Sequence, residues 1–132
     1  MADANRTRWL GELETLVMKE VWRGGAVTVR QVHEALSEDR RLAYTTVLTT
    51  MRNLDRKGYL TREAIGRGHV YRASIDEATV ARSVVKHLLE RLFSGSEVRF
   101  ASALFDAKRL RPEEFERLRR EILKLRREEA GR

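Results

Sequence analysis

Cysteine is absent from this chain of 132 residues, which excludes disulfides and thiolate metal sites outright. No apolar run approaches the length of a membrane span. The Met1-Ala2-Asp3 start lacks the basic-then-apolar order of a signal peptide, so the expectation is a soluble, cytoplasmic protein with no membrane partner. There is no Gly-rich phosphate loop of the usual spacing, no supported Ser/His/Asp grouping and no pair of carboxylates on a shared apolar face. His33, His69 and His87 are far apart, and none belongs to a helical His/Glu pair of metal-binding spacing. Neither an enzyme nor a bound metal or cofactor is expected. Internal repeats and low-complexity linkers are missing too. The length suits one modest domain, or a small domain with an oligomerisation appendage.

What the chain does have is positive charge in one place. Its 27 Lys and Arg face 20 Asp and Glu, a net +7. Residues 40–72 carry Arg40, Arg41, Arg52, Arg56, Lys57, Arg62, Arg67 and Arg72 against Asp55 and Glu63, so +6 of the +7 lies there. An anionic partner for this segment follows.

Within it, Tyr44, Val47, Leu48, Met51 and Leu54 recur at helical spacing, which predicts that these five face a core. The same register turns Thr45, Thr46, Thr49, Arg52, Asn53 and Arg56 to solvent. Hydroxyls, an amide and guanidiniums suit base edges and phosphates better than catalysis. Each also has a plainer reading. Thr hydroxyls bond their own backbone, but Thr is a mediocre helix former, and its clustering at 45, 46, 49 and 50 calls for a reason. Thr50 is placed at the core boundary and left out of the reading face. Arg52 and Arg56 with Asp55 and Glu63 would otherwise form a solvated surface, and the local charge excess favours DNA.

Ahead of this helix, Leu10, Leu13, Leu16, Val17, Val21 and Trp22 describe a first amphipathic helix from Trp9, ended by Gly24-Gly25. Trp9 and Trp22 are assigned to core or interface packing. Thr28-Val29-Arg30-Gln31 fits a capping box, and a second helix runs to about Ser37 with Val29, Val32, Ala35 and Leu36 inward. Arg30, in its first turn, is a candidate phosphate clamp. The Thr-rich helix ends at Lys57-Gly58. Residues 59–65 and 69–74 read as two short strands around Gly66-Arg67-Gly68, with Arg67 at the tip as a further phosphate contact. Arg62 and His69 stay undecided between DNA contact and an ordinary hairpin surface. Three helices and then a ribbon is the order of a winged helix-turn-helix, whose third helix enters the major groove.

Asp76 is placed to cap a further helix in which Val80, Ala81, Val84, Val85, Leu88, Leu89 and Leu92 recur. Ser94-Gly95-Ser96 breaks it, a short apolar segment runs from Val98 to Phe105, and Pro112 opens the last helix. There Phe115, Leu118, Ile122 and Leu125 form a narrow seam. Short helices of this kind do not close a core alone. A second copy is expected to supply the missing surface, through Val84, Leu88, Leu92, Phe105, Phe115, Leu118, Ile122 and Leu125. Packing of the seam on residues 80–92 of the same chain is the alternative. Arg126, Arg127 and Arg132 read as a solvated terminus. The expected fold is mainly α with a small β-hairpin: a winged helix-turn-helix DNA-binding domain over residues 1–75, then an α-helical dimerisation region over 76–132.

The stretches LGELETLVMKEVW at 10–22, TVRQVHEAL at 28–36, AYTTVLTTMRNLDRKGYL at 43–60 and GRGHVYRASID at 66–76 together resemble the penicillinase-repressor family of bacterial regulators (the BlaI/MecI/CopY type). The Tyr-Thr-Thr-Val, Leu and Lys-Gly run at 44–58 is its most specific element. The resemblance implies a dimeric winged-helix repressor on a palindromic operator, with Thr45, Thr46 and Thr49 where the recognition helix meets double-stranded DNA. It also implies, for several members, inactivation by a signalling protease that cuts the C-terminal region. Those members are cut at an Asn-Phe bond, whereas the nearest candidate here is Leu104-Phe105, so the release signal stays open between a protease and another inducer. The copper-responsive branch carries a C-terminal cysteine cluster that this chain lacks. The alternative kept beside a repressor is a winged-helix protein-interaction module without operator-specific DNA binding.

Overall fold

The computed structural model describes residues 10–131; Trp9 and Arg132 lie outside them. Among the described residues, six helices and three strands follow one another: α1 (Glu12–Gly24), β1 (Ala26–Val27), α2 (Val29–Leu36), α3 (Tyr44–Lys57), β2 (Leu60–Ile65), β3 (Gly68–Ala73), α4 (Glu77–Leu92), α5 (Glu97–Lys108) and α6 (Pro112–Ala130). The chain divides into two compact units between His87 and Leu88. Among the described residues, no helix is long and apolar enough to cross a membrane.

The first unit is built around one apolar core. Spacings of three and four bring Val17, Met18 and Val21 of α1, Val29, Val32 and Leu36 of α2, and Val47, Met51 and Leu54 of α3 together with Val27, Tyr59, Leu60, Tyr71 and Val80. Each such side chain contributes about 1.5–3 kcal/mol when fully removed from water. Only eight residues long, α2 would not persist alone, since isolated helices need about 12–15 residues. Its start is secured by the expected capping box: the Thr28 hydroxyl accepts the Gln31 N–H at 3.1 Å, and Gln31 Oε1 accepts the Thr28 N–H at 2.9 Å.

α3 ends in a Schellman motif. Gly58, at φ 90°, donates its N–H to Asp55, and Tyr59 donates to the Leu54 carbonyl at 2.9 Å, which drops both Tyr59 and Leu54 into the core. The wing follows at once as an antiparallel pair in register from Leu60↔Ala73 to Ile65↔Gly68. Its two-residue loop is Gly66-Arg67, and of the expected glycines only Gly66 (φ 60°) needs the left-handed region, the pattern of a type II′ hairpin turn.

The sheet has a third strand that the sequence did not announce. β1 pairs antiparallel with β3 through Ala26↔Arg72 and Val27↔Tyr71, giving the order β1-β3-β2. Two residues carry no periodicity of their own; Val27 is a strand residue because the outer edge of β3 is free to accept it. A second difference is Tyr44, which was expected in the core but is 47% exposed. It opens α3, beyond the reach of the neighbouring helices' core faces.

Polar cross-links fasten α1 to later elements. Lys57 Nζ lies 2.7 Å from Glu14 Oε2, while Glu14 Oε1 accepts the Gly11 N–H at 3.1 Å. Burial pushes the Glu14 carboxyl up, but the Lys57 ammonium and the Gly11 amide together outweigh it and hold the group below its ordinary value. Trp22 Nε1 donates to the Ile75 carbonyl at 2.9 Å, Lys19 pairs with Glu77, and Val80 and Val84 pack on the core. The first turns of α4 are therefore part of the first unit. Asp76 caps α4 as expected, its carboxyl held down by the Thr79 hydroxyl and amide.

In the second unit, the segment expected to be a short apolar run is the helix α5, whose first turn is capped by Ser96 accepting the Arg99 N–H at 3.1 Å. Pro112 stands in the first turn of α6, as expected. Phe93 meets Phe100, and Phe105 meets Phe115, each with ring centroids 5.2 Å apart. No described residue of this unit is fully buried.

Candidate nucleic-acid interface

α3 presents one exposed strip, Thr45, Thr49, Arg52 and Arg56, at the i, i+4, i+7, i+11 spacing that keeps a single helical face. Thr46 and the half-buried Asn53 flank it. The Thr row divides by chemistry. Thr50 spends its hydroxyl on the Thr46 carbonyl at 2.8 Å and is partly buried. Thr45, Thr46 and Thr49 are exposed, and their hydroxyls bond nothing within the described residues. Asn53 Oδ1 accepts from Arg56 Nη2 at 2.6 Å, and the Asn53 amide hydrogens find no acceptor among the described residues.

The cations divide as sharply. Arg40 pairs with Glu12 at 3.4 Å, Lys57 with Glu14 at 2.7 Å, Arg62 with Asp55 at 3.6 Å and Arg72 with Glu63 at 2.8 Å. Glu12 and Glu14 belong to α1, so the +6 counted along residues 40–72 becomes +4 once the four pairing carboxylates are set against the eight cations. The four with no carboxylate partner among the described residues are Arg41, Arg52, Arg56 and Arg67. They stand before α3, on its exposed strip and at the tip of the wing. Arg30 keeps its place in the first turn of α2 but is paired with Glu34 at 3.1 Å, both ends exposed.

Arg41 was counted in the sequence charge without being singled out. The signal that sets it apart, the lack of a carboxylate partner among the described residues, exists only in three dimensions. His33 is also structural: its Nε2 donates to the Leu42 carbonyl at 2.7 Å and its ring meets Tyr44 edge-on, which fixes the turn between α2 and α3.

The expected dimerisation residues fall in four groups. Val84 packs on the core of the first unit, and Phe105 and Phe115 pack on each other. Leu88 and Leu118 are half-buried, while Leu92, Ile122 and Leu125 are exposed. Phe105 and Phe115 also line an open apolar groove with Val98, Ala101, Leu110 and Pro112.

The sequence profile of the family described as penicillinase repressor matches residues 10–124. The transcriptional regulator BlaI of Mycobacterium tuberculosis is 40% identical over 125 residues, 92% of this chain and 86% of that protein. Among solved structures, the DNA-binding domain of the repressor BlaI superposes with a TM-score of 0.50 at 29% identity, over 55% of this chain and 88% of that domain.

Proposed function

The chain belongs to the penicillinase repressor family, and from that premise we propose that it is a homodimeric repressor whose α3 and wing read a palindromic operator. The observation that carries the reading is the strip on α3. Three threonine hydroxyls with no partner among the described residues share a helix surface with Arg52 and Arg56, on the helix that a winged helix-turn-helix inserts in the major groove. Hydroxyls and the Asn53 amide there meet base edges, and Arg41, Arg52, Arg56 and Arg67 meet phosphates. Arg30 contributes less, because Glu34 competes for its guanidinium.

The dimer rests on a second observation. The α6 seam leaves Ile122 and Leu125 each 55% exposed, on a unit that fully buries none of its described residues. A second copy covers that seam and raises operator affinity by joining two half-site contacts into one event. Two-fold protein symmetry then requires a palindromic site. Occupying a promoter excludes polymerase, and repression follows.

Substitution of the hydroxyls tests the reading. Thr46→Val and Thr49→Val keep side-chain shape and remove one hydroxyl each. Binding to a duplex selected from a random pool should weaken by about 1–3 kcal/mol, while binding to unselected duplex stays constant. Equal losses on both duplexes would move these threonines from base reading to backbone contact. Absence of any salt-sensitive binding would replace the repressor with a protein-docking winged helix.

A further inference from the structure

On α3, Tyr44 is the apolar side chain left exposed; Val47, Met51 and Leu54 are buried and Leu48 is partly so. We propose that Tyr44 is a specificity-determining residue whose ring packs on the C5-methyl group of a thymine in the major groove, an assignment that rests on the DNA-reading role above.

The ring is held in place before any ligand arrives. It meets His33 edge-on, with centroids 5.8 Å apart and planes at 77°. His33 in turn is tied to the Leu42 carbonyl in the turn between α2 and α3. A side chain already fixed in this way loses little freedom when its open side is covered. Tyr44 occupies the first turn of α3, and the N-terminal residues of a recognition helix are those that reach base edges.

The ring's chemistry then selects its target. Base pairs present donors and acceptors in the major groove, and one apolar group, the thymine methyl. Polar contact at this end of the helix is available from the Thr45 hydroxyl and the Arg41 guanidinium, both exposed and without a partner among the described residues. An aromatic ring 47% exposed beside them gains most by covering a methyl group.

The test begins with the duplex that wild-type chain selects from a random pool. Deoxyuridine is then placed for thymine one position at a time, which removes only the methyl group. Wild-type binding should fall about four-fold at one thymine, the factor that burial of a single methyl group corresponds to. Tyr44→Ala should bind the thymine and deoxyuridine duplexes equally, and Tyr44→Phe should discriminate as wild type does. A wild-type scan with no sensitive thymine, or full discrimination by Tyr44→Ala, overturns the contact while operator reading stands. Loss of discrimination in Tyr44→Phe overturns it in favour of the phenol. A selection that enriches no sequence overturns the DNA-reading role and this contact with it.

Discussion

Replacing Arg52 with Ala removes a guanidinium that no carboxylate among the described residues compensates, so on the proposed reading its whole charge is available to a phosphate. Each phosphate contact contributes about 0.9 to the slope of log affinity against log salt. Between about 50 and about 200 mM salt, that slope makes one contact responsible for roughly a 3.5-fold loss of affinity. The Arg52→Ala variant, and Arg67→Ala at the wing tip, should each lose about 3.5-fold less than wild type over this range, and the double variant about 12-fold less.

The control comes from the ion pairs. Arg72 and Glu63 face each other at 2.8 Å on the wing strands, so Glu63→Ala/Arg72→Ala removes equal and opposite charges. Its salt slope should match wild type. Fluorescence anisotropy with a random-sequence duplex measures wild type and all four variants, because phosphate contact does not depend on sequence. If the Glu63/Arg72 double variant flattens the slope as much as Arg52→Ala does, ion pairing does not decide which cations meet DNA. An unchanged slope in Arg67→Ala would take the wing off the backbone.

Thr28→Ala removes the acceptor of the Gln31 N–H and should cost about 1 kcal/mol in urea denaturation, with Thr28→Ser close to wild type. Glu14 is held below its ordinary value, so its stabilisation is full above the unfolded-state value and fades as pH falls through the lower, folded one. Glu14→Gln should therefore be less stable than wild type at neutral pH and converge with it in acid; a constant gap would separate the effect from charge. The Tyr59 phenol is buried, finds no hydrogen-bond partner among the described residues, and is pushed up to about 12 by burial with Glu14 adding to the shift. Tyr59→Phe should raise stability by about 1 kcal/mol, and a loss instead would reveal a partner for the hydroxyl. Ile122→Glu places charge in the exposed α6 seam and should yield a monomer by sedimentation, still folded in its first unit; an unshifted dimer would locate the interface elsewhere.

Wherever a residue's role depended on its neighbours in sequence, it could be read in advance. The capping box at Thr28 and Gln31, the glycine stop after Lys57 and the proline start of α6 are all local devices, and each stands where its residues put it. The features that escaped depend on partners far along the chain. β1 exists through pairing with residues 71 and 72, and α4 joins the first unit through Trp22, Lys19 and the core contacts of Val80. Tyr44 failed for the opposite reason. Its spacing was that of a core residue, but a helix end projects past the elements that cover its middle, and periodicity says nothing about where that cover stops.

The same distinction refines the charge argument for DNA. A count along residues 40–72 treats every guanidinium as equal and every distant carboxylate as absent. Folding brings Glu12 and Glu14 of α1 against Arg40 and Lys57, so two of the cations that made the segment look basic serve the fold. What remains is smaller but better placed. Arg52 and Arg56 lie on the strip that carries Thr45 and Thr49, with Arg41 just before it and Arg67 at the wing tip. Glu12 and Glu14 of α1, Asp55 of α3 and Glu63 of the wing take four of the segment's cations. Arg52 and Arg56 keep no carboxylate among the described residues, which on the proposed reading leaves them to phosphates and the threonine hydroxyls to bases. Moving a carboxylate onto α3, as in Thr46→Glu, should therefore weaken binding to every duplex, whereas removing the Glu12 carboxylate should strengthen it by freeing Arg40.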